Sequence, residues 1–355
     1  CTSNLPAVAV TPSEHFNTLL YTGNDGTGNH TGVGFQPDLV WIKGRNVAEN
    51  HALHDAVRGT SAGHIRPDTN NAESANEHKL EYGADGFNFI GGTPTSAPGH
   101  DQVNSSSYNY VAWNWKGGNA TLGTGDFTQG TIASTCSRNV DAGFSIVSYT
   151  GTGSTATVGH GLSKAPNLTI IKPRNFADNW IVTYDSVDGS DDQAYLNLTN
   201  AGGSPSASYA VAQNATTLGL TDWNNVNDTD DTYIAYCFHS VDGYSKCGSY
   251  TGNSNADGTF VYTGFRPAFV MWKKTNSADD WGIHDNKREE STNANPIDNY
   301  LRPNENAVEG DDGDSVDFLS NGFKWRLSSG LRNNSGDTYI YIAFAETPFK
   351  YSNAR

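Results

Sequence analysis

One pattern recurs three times along the chain, and it restricts the fold more than any other feature. Three segments carry Tyr-Thr-Gly: Tyr21-Thr22-Gly23, Tyr149-Thr150-Gly151 and Tyr250-Thr251-Gly252. After each comes an apolar run that opens on proline and closes on lysine six residues later: Pro37 to Lys43, Pro166 to Lys172, Pro267 to Lys273. Twelve or thirteen residues further on stands an aspartate: Asp55, Asp185 or Asp285. An aromatic strand closes each copy, at 110–115, 233–238 and, by its Tyr-Ile-Ala, 341–346. Self-similarity of this kind means one supersecondary unit used three times. The expected boundaries are 15–140, 141–245 and 246–355, behind a linker at 1–14. The short connections predict copies that pack as a stack or cluster.

The unit reads as all-β. Tyr 17, Phe 15 and Trp 8 stand among Gly 38 and many Asn, Asp, Ser and Thr residues. Aromatic and β-branched runs between such breaks make short strands, and no stretch sustains an apolar period of 3.6. Proline suits the first residue of a strand, where a missing N–H breaks no ladder bond. In the closing strands, Val111/Trp113/Trp115, Ile234/Tyr236/Phe238 and Ile342/Phe344 share one face, while small residues recur on the other. About six strands per copy predict three tandem antiparallel β-sandwiches of the lectin or jelly-roll kind. Six strands fit the four-stranded blades of a propeller poorly.

Charge narrows the partners. Lys+Arg 22 against Asp+Glu 38 gives −16, which opposes a phosphate backbone; nucleic acid is not expected. No apolar run is long enough to span a bilayer, so membrane insertion is not expected either. The four cysteines, Cys1, Cys136, Cys237 and Cys247, lack metal or redox spacing. Cys237 and Cys247 flank a strand connection, which leaves a disulfide open, but burial as free thiols is the expected state.

Several long motifs in order carry a resemblance that spans the chain. They are Phe16–Gly23, Gly34–Lys43, His54–Gly59, Gly143–Gly151, His160-Gly161-Leu162 and the ending Ala343–Lys350. Together they resemble marine bacteriophage virion proteins of the tail-fibre or structural kind. The resemblance implies a virion location and contact with other virion proteins, but no catalytic residue. In such proteins a segment like Cys1–Pro6 follows a lectin-like domain, so the chain is expected to begin inside a longer polypeptide.

Candidate sites follow from chemistry. His54-Asp55 and His284-Asp285 look like acid–base fragments, yet the second copy has Tyr184-Asp185. An aspartate that persists while its neighbour changes serves the fold, bonding amides in a turn. Pro37, Lys43, Asp55, Pro166, Lys172, Asp185, Pro267, Lys273 and Asp285 are therefore taken as framework. Asp311, Asp312 and Asp314 are oxygen-rich enough for Ca²⁺, though their spacing is not that of an EF-hand; a solvated acidic turn is the expectation, and no other cofactor is implied. Trp223, Tyr108 and His100 lie outside the repeated motifs and are the candidate ligand contacts, within the variable loops 91–108, 202–230 and 305–316. The expected function is a non-enzymatic virion protein, a fibre or adhesin presenting loops to a host-surface glycan or protein. A homo-oligomer, a trimer by preference, is expected. A capsid decoration or fibre-stabilising protein and a polysaccharide depolymerase are the alternatives.

Overall fold

The computed structural model describes residues 10–74, 78–90, 103–186, 189–289, 295–328 and 330–348. The chain is all-β, built of antiparallel sheets with only single turns of helix among the described residues. The first copy contributes β1 (Phe16–Thr22), β2 (Asn29–Thr31), β3 (Leu39–Gly44), β4 (Ala52–Asp55), β5 (Lys79–Gly83), β6 (Gly86–Ile90) and β7 (Asn109–Trp115). They form sheets β1-β7-β3-β4 and β2-β6-β5.

The second copy repeats this plan with β9 (Phe144–Thr150), β10 (Ala156–Gly159), β11 (Leu168–Pro173), β12 (Ile181–Asp185) and β13 (Asp191–Tyr195). β14 (Val211–Gln213), β15 (Thr217–Leu220) and β16 (Thr232–Phe238) complete it, and β8 (Ser134–Asn139) adds an edge. Its sheets run β13-β12-β11-β16-β9-β8 and β10-β15-β14.

In the third copy the two sheets are continuous. β17 (Ser245–Thr251), β18 (Phe260–Tyr262), β19 (Phe265–Lys274), β20 (Trp281–Asp285), β21 (Ile297–Leu301), β22 (Gly310–Leu319), β23 (Gly322–Trp325) and β24 (Thr338–Pro348) make one eight-stranded sheet. It curls into a nearly closed, barrel-like form, with β21 and β22 pairing where the other copies are open.

Alternation along the strands explains how the copies associate. The large face of each closing strand does not point into its own copy. Trp113, Trp115, Tyr236, Phe238, Ile342 and Phe344 instead meet in one central core shared by all three copies. Leu39, Leu168 and Phe269, and Trp41, Ile170 and Met271, join them from equivalent positions around a small apolar void of ≈ 20 Å³. The opposite faces pack on each copy's outer strands, in separate cores. The three copies thus form a ring about a common apolar axis.

The strand register corrects the sequence alignment of the third copy. Tyr110 lies opposite Tyr21 and Tyr233 opposite Tyr149, but the partner of Tyr250 is Tyr339, not Tyr341. These pairs stack at 5.1, 5.2 and 4.8 Å. The slip is by two residues, so the faces were assigned correctly while the equivalences were not. Proline behaves as expected before β3 and β11, whereas Pro267 sits at an irregularity inside the longer β19.

The stacked tyrosines account for the Tyr-Thr-Gly motif. The hydroxyls of Tyr21, Tyr149 and Tyr250 donate to the carbonyls of Val103, Val226 and Arg332, at 2.6, 2.7 and 2.9 Å. Those carbonyls belong to the loops that lead into the closing strands. The motif glycine lies against the same loops: a Cβ on Gly23, Gly151 or Gly252 would stand 2.0, 2.1 or 2.3 Å from a carbonyl oxygen of Ser105, Asp228 or Asn334.

Contacts between copies form a closed cycle. The His51 ring donates through Nε2 to the Arg302 carbonyl (3.0 Å), because its Nδ1 already accepts from Trp41. Trp180 donates to Arg66 and Trp281 to Tyr195, both at 2.9 Å. First copy to third, second to first, and third to second, each ring N–H reaches an equivalent carbonyl of its neighbour.

Among the described residues, two of the three seams also carry buried ion pairs. At the first–second seam, Tyr236 donates to Asp55 (2.8 Å), Arg58 pairs with Asp55 (2.5 Å), and Glu73 receives Arg174 (2.7 Å). At the third–first seam, Trp113 donates to Asp285 (2.9 Å), Arg288 pairs with Asp285 (2.5 Å), and Glu309 bridges Arg288 and Arg45 at 2.8 and 2.7 Å. Asp185, by contrast, is exposed, and its carboxylate accepts a 2.5 Å bond from Asn167 within the second copy.

These differences yield a prediction. Asp285→Ala strips a fully buried guanidinium of its closest partner and is expected to cost about 3–5 kcal/mol. Asp185→Ala, at the equivalent but exposed position, is expected to stay within about 0.5 kcal/mol. Urea unfolding of the two variants checks this, and equal losses would contradict the seam assignment. Gly151→Ala should separately lower the midpoint, because backbone rather than a mobile side chain opposes its Cβ.

Candidate functional site

The recurring lysines, and the aspartates of the first and third copies, are taken up by the ring, while Asp185 is exposed. Lys43, Lys172 and Lys273 are fully buried at the ends of β3, β11 and β19. Their ammonium groups bond carbonyls, Lys172 that of Asp178 at 3.0 Å and Lys273 that of Asp279 at 2.9 Å. Burial without an adjacent carboxylate bond pulls all three down to about 8. Asp55 and Asp285 cap turn amides, those of Arg58, Lys287 and Arg288, at 2.9–3.1 Å.

The histidines of the two His-Asp pairs are equally enclosed. Adjacent strand residues point to opposite faces, so His54 and His284 look away from their aspartates into outer packing. His284 lies against Trp272 and Trp325, and His54 against His64. Burial pushes His51, His54 and His284 well below the ordinary imidazole range. Neutral in the folded chain, they would charge near pH 6.5 once unfolded. Stability is therefore full above pH 6.5 and is lost as pH falls toward their folded values, by about 1.4 kcal/mol per histidine per pH unit. A melting temperature that fell steadily from pH 7 to pH 5 is the expected result; a flat profile would contradict it.

The acidic segment around Asp311 is not a turn. It lies in β22, with Asp311 opposite Asn299 and Val316 opposite Ile297 across an irregular register. The Asp311 carboxylate accepts the Gly313 N–H at 2.9 Å, and Gly313 has φ +57. The side chains of Asp312 and Asp314 lie outside the described residues. No group of three or more His, Cys, Asp or Glu among the described residues could hold a metal. Within the 305–316 segment Glu309 is held in the third–first seam, while its neighbour Val308 is exposed.

Of the three candidate ligand contacts, His100 lies outside the described residues. Tyr108 is half-buried against the first copy's outer core, and its backbone bonds Ser105 and Gly23. Cys136, Cys237 and Cys247 are free. Cys237 faces the second copy's outer core and Cys247 the central core, opposite sides that forbid a bridge.

Trp223 is different. It precedes a single helical turn, α1 (Asn224–Asn227), whose Val226 and Asn227 amides donate to its carbonyl at 2.9 and 2.8 Å. Half-buried on the second copy's outer core, it meets Tyr209 edge to face at 5.3 Å. Tyr209 is 52% exposed, one of the few large exposed hydrophobics. Between them and the edge of the second copy's larger sheet runs a groove of ≈ 310 Å³, lined among others by Gln193, Tyr195, Ser204, Tyr209 and Trp223. Among the described residues, no lysine or arginine lines it.

The groove is held from beneath. Gln193 and Gly203 exchange backbone bonds of 2.9 and 3.0 Å, and Ser204 donates to Asp192 at 2.7 Å. Oriented to satisfy its neighbours, the Gln193 amide donates to the Tyr209 carbonyl at 2.9 Å and accepts from Val211 at 3.1 Å. Tyr209 escaped the sequence reading because it sits among small polar residues; its only signal was position in the variable 202–230 loop.

The family comparison matches this architecture in extent. The chain belongs to the family described as a domain of unknown function (DUF7483), whose profile matches residues 11–348. One family unit therefore spans all three copies. No curated protein and no solved structure matches the chain.

Proposed function

We propose that the chain is a non-enzymatic virion structural protein, a tail fibre or adhesin, whose second copy attaches the particle to a host-surface glycan. The groove at Trp223 and Tyr209 carries this reading. Two aromatic rings, one exposed and one anchored, stand on a braced sheet edge beside hydroxyl and amide groups. Such a surface suits the apolar face of a sugar ring together with its hydroxyls. The absence of lysine and arginine in the lining favours an uncharged glycan over an acidic one.

In the same reading each repeat is a lectin- or jelly-roll-like β-sandwich. The two sheets of the first and second copies, with an apolar core between them, support that description, and the third copy is a version whose layers have joined along one edge. The reading places the chain on the virion surface among other virion proteins. Several copies of the chain, three by preference, would turn weak single contacts into firm attachment. Nothing in the His-Asp pairs supports chemistry on the glycan, because their polar atoms are directed into packing and seams.

A glycan array probed with the purified chain tests the proposal, with host cells as a second target. Binding to neutral glycans is expected, with Trp223→Ala and Tyr209→Ala each weakening it at least about tenfold, equivalent to 1.4 kcal/mol. Unchanged binding in both variants, at unchanged melting temperature, would refute the groove.

A further inference from the structure

The second–third seam differs from the other two by the loss of specific residues. The arginine two places after the framework lysine, Arg45 or Arg174, is Thr275 in the third copy. The glutamate five places after the residue that caps the His51, Trp180 or Trp281 amide is Glu73 or Glu309, and in the second copy it is Gly202. The donor that reaches the aspartate, Trp113 or Tyr236, is Ile342 by the corrected register. Arg58 and Arg288 correspond to Asp188, which lies outside the described residues. Every member of the charged network except the aspartate itself, which stays as the exposed Asp185, is thus replaced at this one seam.

A cleft opens where the network would stand. It measures ≈ 390 Å³, and Gly202 and Thr275 both line it, with Tyr184, Asp192, Asn276 and Thr338. The size is within the range of small-molecule sites, about 300–1,000 Å³. Tyr184 supplies an independent observation. It is 3% exposed, yet its hydroxyl has no hydrogen-bond partner among the described residues. Buried hydroxyls are ordinarily satisfied, and leaving one unpaired is costly. A Cβ on Gly202 would stand 2.2 Å from that hydroxyl, so the glycine is what lets the tyrosine reach the cleft.

We propose that this cleft is a binding site for a neutral polyhydroxylated ligand, with a pyranose ring as the chemistry that fits. A sugar hydroxyl accepts from Tyr184 and donates to Asp192 at once, and the threonine and asparagine groups supply further partners. Among the described residues no cation lines the cleft: Lys273 is bound to carbonyls and Lys274 to Asp279 and Asp337. An acidic sugar would meet the Asp192 carboxylate uncompensated. Gly202 also lines the aromatic groove, but the cleft engages neither Trp223 nor Tyr209 and stands apart from the attachment reading.

Saturation-transfer NMR on the full chain tests it, using the methyl glycosides of glucose, galactose, mannose and N-acetylglucosamine beside glucuronate and galacturonate. At least one neutral glycoside is expected to bind, with affinity reduced about tenfold in Thr275→Arg, which restores the side chain of the other seams. Tyr184→Phe should give a similar loss without altering shape, which keeps the test valid if the arginine disturbs folding. Because Trp223 and Tyr209 belong to the proposed groove, the cleft variants are also measured in a Trp223→Ala/Tyr209→Ala background, where the groove is silent and the remaining neutral-glycoside signal is expected to respond to Thr275→Arg and Tyr184→Phe. No neutral glycoside bound, a uronate bound as well as its neutral parent, or binding that survives both cleft variants would overturn the proposal. Binding seen in the unaltered chain but absent from the Trp223→Ala/Tyr209→Ala background would overturn the cleft while leaving the groove standing.

Discussion

Everything in this molecule depends on the apolar axis. Each copy has one sheet face too rich in Trp, Phe, Leu and Ile to be left in water. Burying a large apolar side chain is worth about 1.5–3 kcal/mol, and the axis gathers equivalent residues from three copies at each level. A single copy has only its outer core for one face and nothing for the other. Two copies would leave a wedge open. Three close the ring, which is the physical content of a family unit that spans residues 11–348.

Closing the ring within one chain frees the copies from symmetry. In a trimer of identical subunits every seam must be the same, because each residue appears at all of them. Here the seams are free to differ, and they do. The cyclic bonds from His51, Trp180 and Trp281 are common to all three and fix how the copies dock. The buried charges are a second layer, present at two seams. They demand mutual satisfaction, since a guanidinium as enclosed as Arg58 or Arg288 tolerates no missing partner. At the remaining seam both arginines and the glutamate are gone, and the aspartate that stays, Asp185, is exposed to water, so no guanidinium or carboxylate is stranded in the interior.

Much of this was legible in the sequence and some was not, for definite reasons. Period-two alternation identified the large and small faces, and the proline-to-lysine run identified the central strand. The closing strand of the third copy misled because Tyr339-Ile340-Tyr341-Ile342 repeats itself every two residues; only strand pairing with Tyr250 distinguishes the two alignments. That the large face serves a shared axis was hidden, because burial looks the same in sequence whichever partner supplies it. The seam networks were harder still. Asp55 meets Tyr236, and Arg45 meets Glu309, across intervals with no local pattern. Their logic emerges once the insert lengths are aligned on Asp68, Asn197 and Asn304, whose side chains cap equivalent amides.

Recurrence and function are therefore in opposition in this fold. A residue found in all three copies is already engaged in stacking, capping or docking, as the tyrosines and glycines of Tyr-Thr-Gly and the framework lysines are. Such residues have little capacity left for a partner. Freedom exists only where a copy departs from the pattern, and the described departures concentrate on one side of the second copy. There the loop after β13 is braced by Gln193, Trp223 and Tyr209 stand together at the surface, and Gly202 takes the place of a seam glutamate. Both recessed surfaces meet at that glycine. The other two seams supply the rigidity against which this one can remain open.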